Sequence, residues 1–132
     1  MSTAVTKVLV VDDHVDIAEW LADELSVAGY HVQTAHEGAV ALEMALSFMP
    51  DVMIVDIALP GMNGWEVARR MRKLTVPSQP RMIALSAFQQ DVHRERSCAA
   101  GFERHLVKPV KVQDLLHVLA SRPSSDVDPQ SS

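Results

Sequence analysis

The sequence predicts a doubly wound α/β fold, in which five parallel strands form one sheet and five helices cover its two faces. Short apolar runs alternate five times with segments of helical periodicity. Several of the runs are apolar at consecutive residues, as in strands that are buried on both faces of a parallel sheet. The chain has 132 residues, which is enough for a single domain with a sizeable core.

The first part of the chain predicts a strand, a helix and a second strand. Residues 7–11 fit a buried strand. Asp13 is placed to cap the following helix, and Gly29 to end it. Residues 31–35 alternate between polar and apolar side chains, as expected of an edge strand. The apolar positions that recur at helical spacing in the helix are Ile17, Leu21, Leu25 and Ala28.

The middle of the chain predicts a helix around 38–48, a buried strand at 52–55 and a helix at 65–74. Pro50 ends the first of these helices, and a turn-rich loop precedes the second. The residues expected to face the core are Ala39, Leu42 and Leu46 in the first helix, and Val67, Met71 and Leu74 in the second.

The last part predicts strands at 82–85 and 104–107 and helices at 89–100 and 112–120. The helix at 89–100 has a weak apolar pattern, whereas the last helix is clearly amphipathic. The core candidates are Val92 and Ala99 in the first of these helices, and Val112, Leu115, Leu116 and Leu119 in the second.

Composition and net charge limit the classes of protein to which this chain can belong. The net charge of −5 and the pI near 5.6 argue against a nucleic-acid binder. Cys98 is the single cysteine, which excludes an intramolecular disulfide framework and fits a reducing compartment. No apolar run has the length of a signal peptide or membrane span, so we expect a cytoplasmic protein without membrane contact. We expect an N-terminal lead at 1–5, one domain at 6–120, and a disordered polar tail at 121–132.

Polar residues close four of the predicted strands. Asp12 and Asp13 follow the first strand and Asp56 the third. Ser86 and Lys108 follow the fourth and fifth. Because the carboxyl ends of parallel strands meet at one edge of a sheet, these side chains are expected to share a crevice there.

Three carboxylates in one crevice repel one another, by about 4 kcal/mol for a pair at 4 Å and an effective dielectric near 20. A cation removes this cost, and oxygen ligands favour Mg²⁺, or alternatively Mn²⁺, over zinc. A carboxylate beside such a cation can accept a phosphoryl group. Asp56 is the best nucleophile candidate because its strand should be central.

Taken singly, each residue also has a purely structural explanation. Asp13 could only cap a helix, Asp56 could belong to a turn, and Ser86 could be a satisfied core hydroxyl. Lys108 could simply end a strand. All of them fall at the same end of successive strands, however, and this coincidence favours the shared site.

In this arrangement the chain resembles the receiver domain of two-component response regulators, over about 6–120. The matching segments are VVDD at 10–13, PDVMIVDIALPGMNG at 50–64, ALS at 84–86 and GFERHLVKP at 101–109. The resemblance implies a flavodoxin-like strand order of 2-1-3-4-5. It also implies phosphorylation by a histidine kinase or a histidine phosphotransfer protein, with self-catalysis limited to gaining and losing that group, so that the chain is not an enzyme.

The resemblance assigns roles to the site residues. Asp56 would be the phosphoacceptor, Lys108 would pair with its phosphoryl group, and Ser86 would move toward it. The bond between Lys108 and Pro109 would be cis. The groups that would hold Mg²⁺ are Asp13, Asp56 and the backbone carbonyl of Ala58, with Asp12 acting largely through water.

One position departs from the family pattern, and two others bear on how long a phosphoryl group would last. The switch position, usually Tyr or Phe, is His105, as in receivers of hybrid histidine kinases. Ala58 and Phe88 stand where the family controls the access of hydrolytic water, and Phe88 predicts a long-lived phosphoryl-aspartate. The signal would leave through the face at 89–120, formed by the fourth helix, fifth strand and fifth helix, which is also the surface of an expected homodimer.

Four other interpretations were weighed against this one. An Asp-nucleophile phosphatase would have a second acid at position 58, where this chain has Ala58. A nucleotide or flavin binder is disfavoured because the chain has no glycine-rich phosphate loop. The chain could also be a receiver excised from a hybrid kinase, or an interaction module that works without phosphorylation.

Overall fold

The computed structural model forms one five-stranded parallel sheet with helices on both faces. It describes residues 5–87 and 91–121, without the side chains of 91–94. The elements are β1 (Lys7–Val11), α1 (Val15–Val27), β2 (His31–Ala35), α2 (Gly38–Phe48), β3 (Val52–Asp56), α3 (Gly64–Lys73), β4 (Arg81–Ser86), α4 (Asp91–Ala100), β5 (Arg104–Val107) and α5 (Val112–Ala120).

The strand order is β2-β1-β3-β4-β5, which confirms the predicted topology. β2 is an edge strand, as its alternating pattern predicted, whereas all residues of β3 are buried. Val11 of β1 pairs with Val55 of β3, so these two strands end side by side at the centre of the sheet. The order of the strands reverses here, and such a switch point opens a crevice beyond the strand ends.

The core has one layer on each face of the sheet. On one face, buried residues of β1, β3 and β4 pack against α2, α3 and the end of α4. On the other face, the alternate residues of the same strands pack against α1 and α5. Because both faces are covered, the central strands are apolar at consecutive positions.

The end of α1 shows how local sequence fixes an element boundary. Gly29 has a φ of +106°, a left-handed conformation that residues with a Cβ rarely adopt. The N–H of Gly29 donates to the carbonyl of Ser26, and that of Tyr30 donates to the carbonyl of Leu25. These are the two hydrogen bonds of a Schellman motif, so Gly29 ends the helix as predicted.

The predicted core faces of three helices need correction. In α2 the buried side chains are Ala41, Ala45 and Phe48, while Ala39 and Leu46 are exposed. Small alanines let the helix approach the sheet closely, so Leu46 lies outside the contact, while Leu42 is half-buried and packs at the margin of the core. The remaining misplaced residues are Ile17 and Ala28 in α1 and Ala99 in α4, all of them exposed.

Some predictions lie outside the described residues. They are the predictions for most of the N-terminal lead and the C-terminal tail, at 1–4 and 122–132, for Phe88 and for the side chain of Val92. Within the described ranges, no helix is both long and apolar enough to cross a lipid bilayer.

Candidate functional site

The carboxyl ends of β1, β3 and β5 bring an acid pair, an aspartate and a lysine together. Asp56 ends β3 and pairs in register with Leu85 of β4. Its Oδ2 accepts a hydrogen bond of 2.9 Å from Lys108 Nζ, and its Oδ1 accepts one of 3.0 Å from the N–H of Ala58. The Asp56 side chain is almost entirely buried, so its carboxylate has a fixed position at the floor of the crevice.

Lys108 joins two acids of the site. Its Nζ donates to Asp56 Oδ2 and, over 3.2 Å, to Asp12 Oδ2. Burial of the ammonium lowers the pKa of Lys108, but the hydrogen bond and charge of Asp56, together with those of Asp12, outweigh this effect. The pKa is therefore raised above the ordinary lysine value, and the site keeps its positive charge.

Asp12 is completely buried, and both of its oxygens have hydrogen-bond donors. Oδ1 accepts from the backbone N–H of His14 at 2.9 Å and lies 3.1 Å from Nδ1 of the same residue. Oδ2 accepts from Lys108. Asp12 is therefore held in a fixed position, where it adds a negative charge to the site.

Asp13 does not cap α1, which corrects the sequence prediction. The N-cap residue is His14, and no side chain caps the helix. The Asp13 side chain lies toward the acid cluster instead, where its Oδ1 is buried without a hydrogen-bond partner. A buried carboxylate oxygen without a donor is costly, and a bound cation removes that cost.

The site as a whole fits a divalent cation. Ligand atoms from Asp12, Asp13, His14 and Asp56 all lie within 4.8 Å of one another. Carboxylate oxygens are the ligands that Mg²⁺ and Mn²⁺ prefer. His14 is a site residue outside those predicted from the sequence, although its position directly after the acid pair could have indicated it.

Ser86 and Ala58 lie beside Asp56. Ser86 is buried at the end of β4 and pairs in register with Val107 of β5, next to Lys108. Ala58 contacts Asp56 through its backbone N–H, whereas its carbonyl was the predicted metal ligand. The peptide bond between Lys108 and Pro109 is cis.

His105 lies on β5, where it is part of a hydrogen-bond chain that no sequence pattern indicated. Its Nδ1 is 2.9 Å from Oγ of Ser97, on α4. The same Oγ accepts a 2.9 Å hydrogen bond from the indole N–H of Trp65, on α3. The His105 imidazole is thus connected to two neighbouring helices, through a serine that is itself buried.

Comparisons with known proteins agree with this geometry. The family model for the response regulator receiver domain matches residues 8–120. Response regulator MprA of Mycobacterium ulcerans is 37% identical over 110 residues, which is 83% of this chain and 47% of that protein. MprA of Mycobacterium avium is 36% identical over the same extent. The chain thus spans about half the length of these curated relatives.

Solved structures show the same fold. Chemotaxis protein CheY4 of Vibrio cholerae, crystallised at low pH, has a TM-score of 0.81 and 34% identity, covering 88% of this chain and 97% of that one. A response regulator from Burkholderia pseudomallei contains a phosphorylated aspartic acid, a calcium ion and citrate. It has a TM-score of 0.82 and 26% identity, covering 96% of this chain and 73% of that one. The chain therefore belongs to the response regulator receiver domain family, the phosphoacceptor family of two-component signalling.

Proposed function

We propose that this chain is a phosphoacceptor receiver in which Asp56 takes a phosphoryl group from a phosphohistidine. The observation that carries the proposal is the buried Asp56 carboxylate, which is held by Lys108 beside two further acids. In the transfer, an Asp56 oxygen forms a bond to phosphorus while the phosphorus–nitrogen bond of the donor breaks. The electron pair of that bond stays on the donor imidazole, which takes up a proton from solvent.

Mg²⁺, or alternatively Mn²⁺, would be held by Asp13, Asp56 and the carbonyl of Ala58, with Asp12 acting through water. When bound, the ion neutralises charge on the acids and on the phosphoryl oxygens. The uncommitted Oδ1 of Asp13 supports its role as a direct ligand.

Lys108 would stabilise the phosphoryl group once it is on Asp56. Phosphorylation removes the negative charge that Lys108 now contacts and creates new anionic oxygens close by. The ammonium then pairs with these oxygens, and the Ser86 hydroxyl donates to another. Loss of the group to water would restore the carboxylate, so that self-catalysis is limited to these two steps.

A protein donor would dock beside the acceptor, on the surface of α1. Ile17 and Trp20 are 41% and 48% exposed although both are large and apolar. With Pro109 and Val110 they line a groove of about 410 Å³, and Lys108 of the site forms part of its wall. An apolar groove that is continuous with the phosphoryl site suits a histidine kinase or histidine phosphotransfer protein.

The output would leave through α4, β5 and α5, which is also the surface of the proposed homodimer. The hydrogen bonds from His105 through Ser97 to Trp65 support this direction, because they link β5 to α4 and α3. Arg96 adds a contact on the same side, with its guanidinium 3.9 Å from the centre of the Trp65 ring. A change at His105 can therefore reach the surface of α4 through one serine.

The test is the intact mass of the protein after incubation with Mg²⁺ and a small acyl phosphate. We expect one phosphoryl group on wild type, none on Asp56→Asn, and the wild-type result for Asp23→Asn, which changes an exposed aspartate of α1. Equal labelling of Asp56→Asn would contradict the assignment.

If wild type stays unlabelled even with a phosphorylated histidine phosphotransfer protein, the result favours a function other than phosphoacceptor. The chain would then be an interaction module that acts without phosphorylation, or a receiver separated from a hybrid kinase. NMR shifts with Mg²⁺ and beryllofluoride separate the two, since a working pocket responds near Asp56 and Lys108 and an inactive one does not.

A further inference from the structure

The imidazole of His14 stands at the mouth of the acid cluster. Its Nδ1 lies 3.1 Å from Asp12 Oδ1 and 3.5 Å from Asp13 Oδ1. The side chain is 61% exposed, so its ring can turn without disturbing the core. His14 is also the N-cap residue of α1, and its backbone N–H donates to Oδ1 of Asp12. This hydrogen bond fixes the backbone from which the imidazole extends.

These distances match those between neighbouring ligands of a small dication. Metal–ligand bonds of about 2.1 Å place adjacent ligand atoms about 3.0 Å apart in octahedral and about 3.4 Å apart in tetrahedral geometry. Nδ1 of His14 and Oδ1 of Asp13 have this spacing, with a distance of 3.5 Å between them. One metal ion can therefore contact both atoms with only small side-chain movements.

Asp13 and His14 have fewer competing bonds than the other two groups of the cluster: the His14 side chain has one, between Nδ1 and Asp12 Oδ1 at 3.1 Å. Asp13 Oδ1 is buried without a hydrogen-bond partner. Asp12 and Asp56, by contrast, each bind Lys108 and a backbone N–H. A cation that enters the cluster therefore meets an uncommitted carboxylate oxygen and, beside it, an imidazole nitrogen.

We propose that His14 is a direct ligand of the dication through Nδ1, and that it shifts the preference of the site from Mg²⁺ toward first-row transition-metal ions. The inference rests on the proposed function, because it concerns the same metal site. Mg²⁺ prefers oxygen ligands and keeps much of its water, whereas Co²⁺, Ni²⁺ and Zn²⁺ gain affinity from an imidazole. The neutral ring frees Nδ1 for the metal by moving its proton to Nε2 through solvent.

His36 provides a matched control. Its Nδ1 lies 3.0 Å from the backbone carbonyl oxygen of Asp12, so this imidazole is close to the site. It contacts the main chain and not the carboxylates, and it is outside the group of candidate ligands in the described residues. Replacement of His36 tests whether any nearby imidazole affects the metal by charge alone.

The experiment measures dissociation constants of the full chain for Co²⁺ and Mg²⁺ by titration calorimetry, in wild type, His14→Asn and His36→Asn. We expect His14→Asn to bind Co²⁺ at least about tenfold more weakly and Mg²⁺ with nearly unchanged affinity. The visible absorption of bound Co²⁺ should shift when the nitrogen ligand is lost. His36→Asn should match wild type in every measurement.

Equal weakening of Co²⁺ and Mg²⁺ by His14→Asn would overturn the proposal, because it would indicate a general electrostatic effect. Unchanged Co²⁺ affinity or an unchanged Co²⁺ spectrum would overturn it too, as would the same loss in His36→Asn. Labelling of Asp56 with Mg²⁺ and an acyl phosphate in the same variants distinguishes a failure of the His14 proposal from a failure of the proposed function. Labelling without a Co²⁺ effect refutes only the role of His14. A wild-type protein that stays unlabelled by both the acyl phosphate and a phosphorylated histidine phosphotransfer protein refutes the proposed function.

Discussion

Gly64 packs directly against the backbone of Asp56. A Cβ added at Gly64 would lie 2.7 Å from the carbonyl oxygen of Asp56 and 2.7 Å from Cα of Ile57. The N–H of Gly64 also donates to the carbonyl of Ile57 at 2.9 Å. The first residue of α3 thus contacts the end of β3, and only glycine fits there without moving the backbone that carries Asp56.

Gly64→Ala should lower the free energy of unfolding by about 3 kcal/mol, because the methyl group meets backbone atoms that cannot rotate away. It should also slow the labelling of Asp56. Gly61→Ala is the control, since Gly61 has a φ of +76° but open space around its Cα, and its cost should be only about 1 kcal/mol of backbone strain. Urea unfolding measures both values. Equal destabilisation by the two variants would contradict the steric argument.

Lys108 should give the protein a characteristic loss of stability at high pH. Its pKa in the folded protein is raised above 10.5, so its contribution is complete below pH 10.5. The contribution disappears as the pH rises through the higher folded pKa. Lys108→Met should lack this component, whereas Lys111→Met, which changes an exposed lysine, should keep the wild-type profile. Urea unfolding between pH 9 and about 11.5 measures the difference. An identical decline in Lys108→Met would contradict the role of the ion pairs.

Trp20→Ala should weaken transfer from a protein donor while leaving chemistry at Asp56 intact. Loss of a central aromatic contact costs at least about 2 kcal/mol at many interfaces, or more than tenfold in affinity. Labelling by a small acyl phosphate should remain at the wild-type rate. Val27→Ala removes another exposed apolar side chain from α1, outside the groove, and should transfer normally. Equal slowing with both kinds of donor would mean that Trp20 acts on the site itself.

Ser97→Ala should destabilise the protein by about 2 kcal/mol, because it removes a buried hydroxyl that bonds Trp65 and contacts His105. Trp65 fluorescence should change as well. Ser47→Ala is the control, since the Ser47 hydroxyl is exposed and bonds only weakly to the carbonyl of Met44 over 3.3 Å. That variant should change stability by less than about 0.5 kcal/mol. Similar unfolding curves for both variants would show that the buried chain adds nothing to stability.

Element positions followed from the sequence because each has a local cause. Consecutive apolar residues mark the strands that are buried on both faces, and Gly29 ends α1 by its backbone conformation. The face that a helix buries was less predictable. In α2 the leucines have the greater hydrophobicity, yet the close approach of Ala41 and Ala45 to the sheet decides the orientation.

The site residues likewise include some that the sequence predicted and some that it did not. The sequence predicted that Asp12, Asp56 and Lys108 lie close together, since parallel strands end at a common edge of the sheet. Asp13 was correctly placed in the cluster but wrongly read as a helix cap, because a side chain near a helix start can turn toward either partner. Ser97 and Trp65 gave no signal, since a serine in a weak helix and a tryptophan after a turn are common in any chain.

By itself, the sequence determined the order of strands and helices along the chain, the single parallel sheet, and the acids and lysine at the edge of that sheet. Hydrophobic period, turn residues and chain direction are local properties, and they carry this information. Only the tertiary structure decided that Lys108 joins Asp56 to Asp12, that His14 faces the acids, and that Ser97 connects His105 to Trp65. These contacts depend on side-chain direction across elements far apart in the chain, and local patterns do not encode that direction.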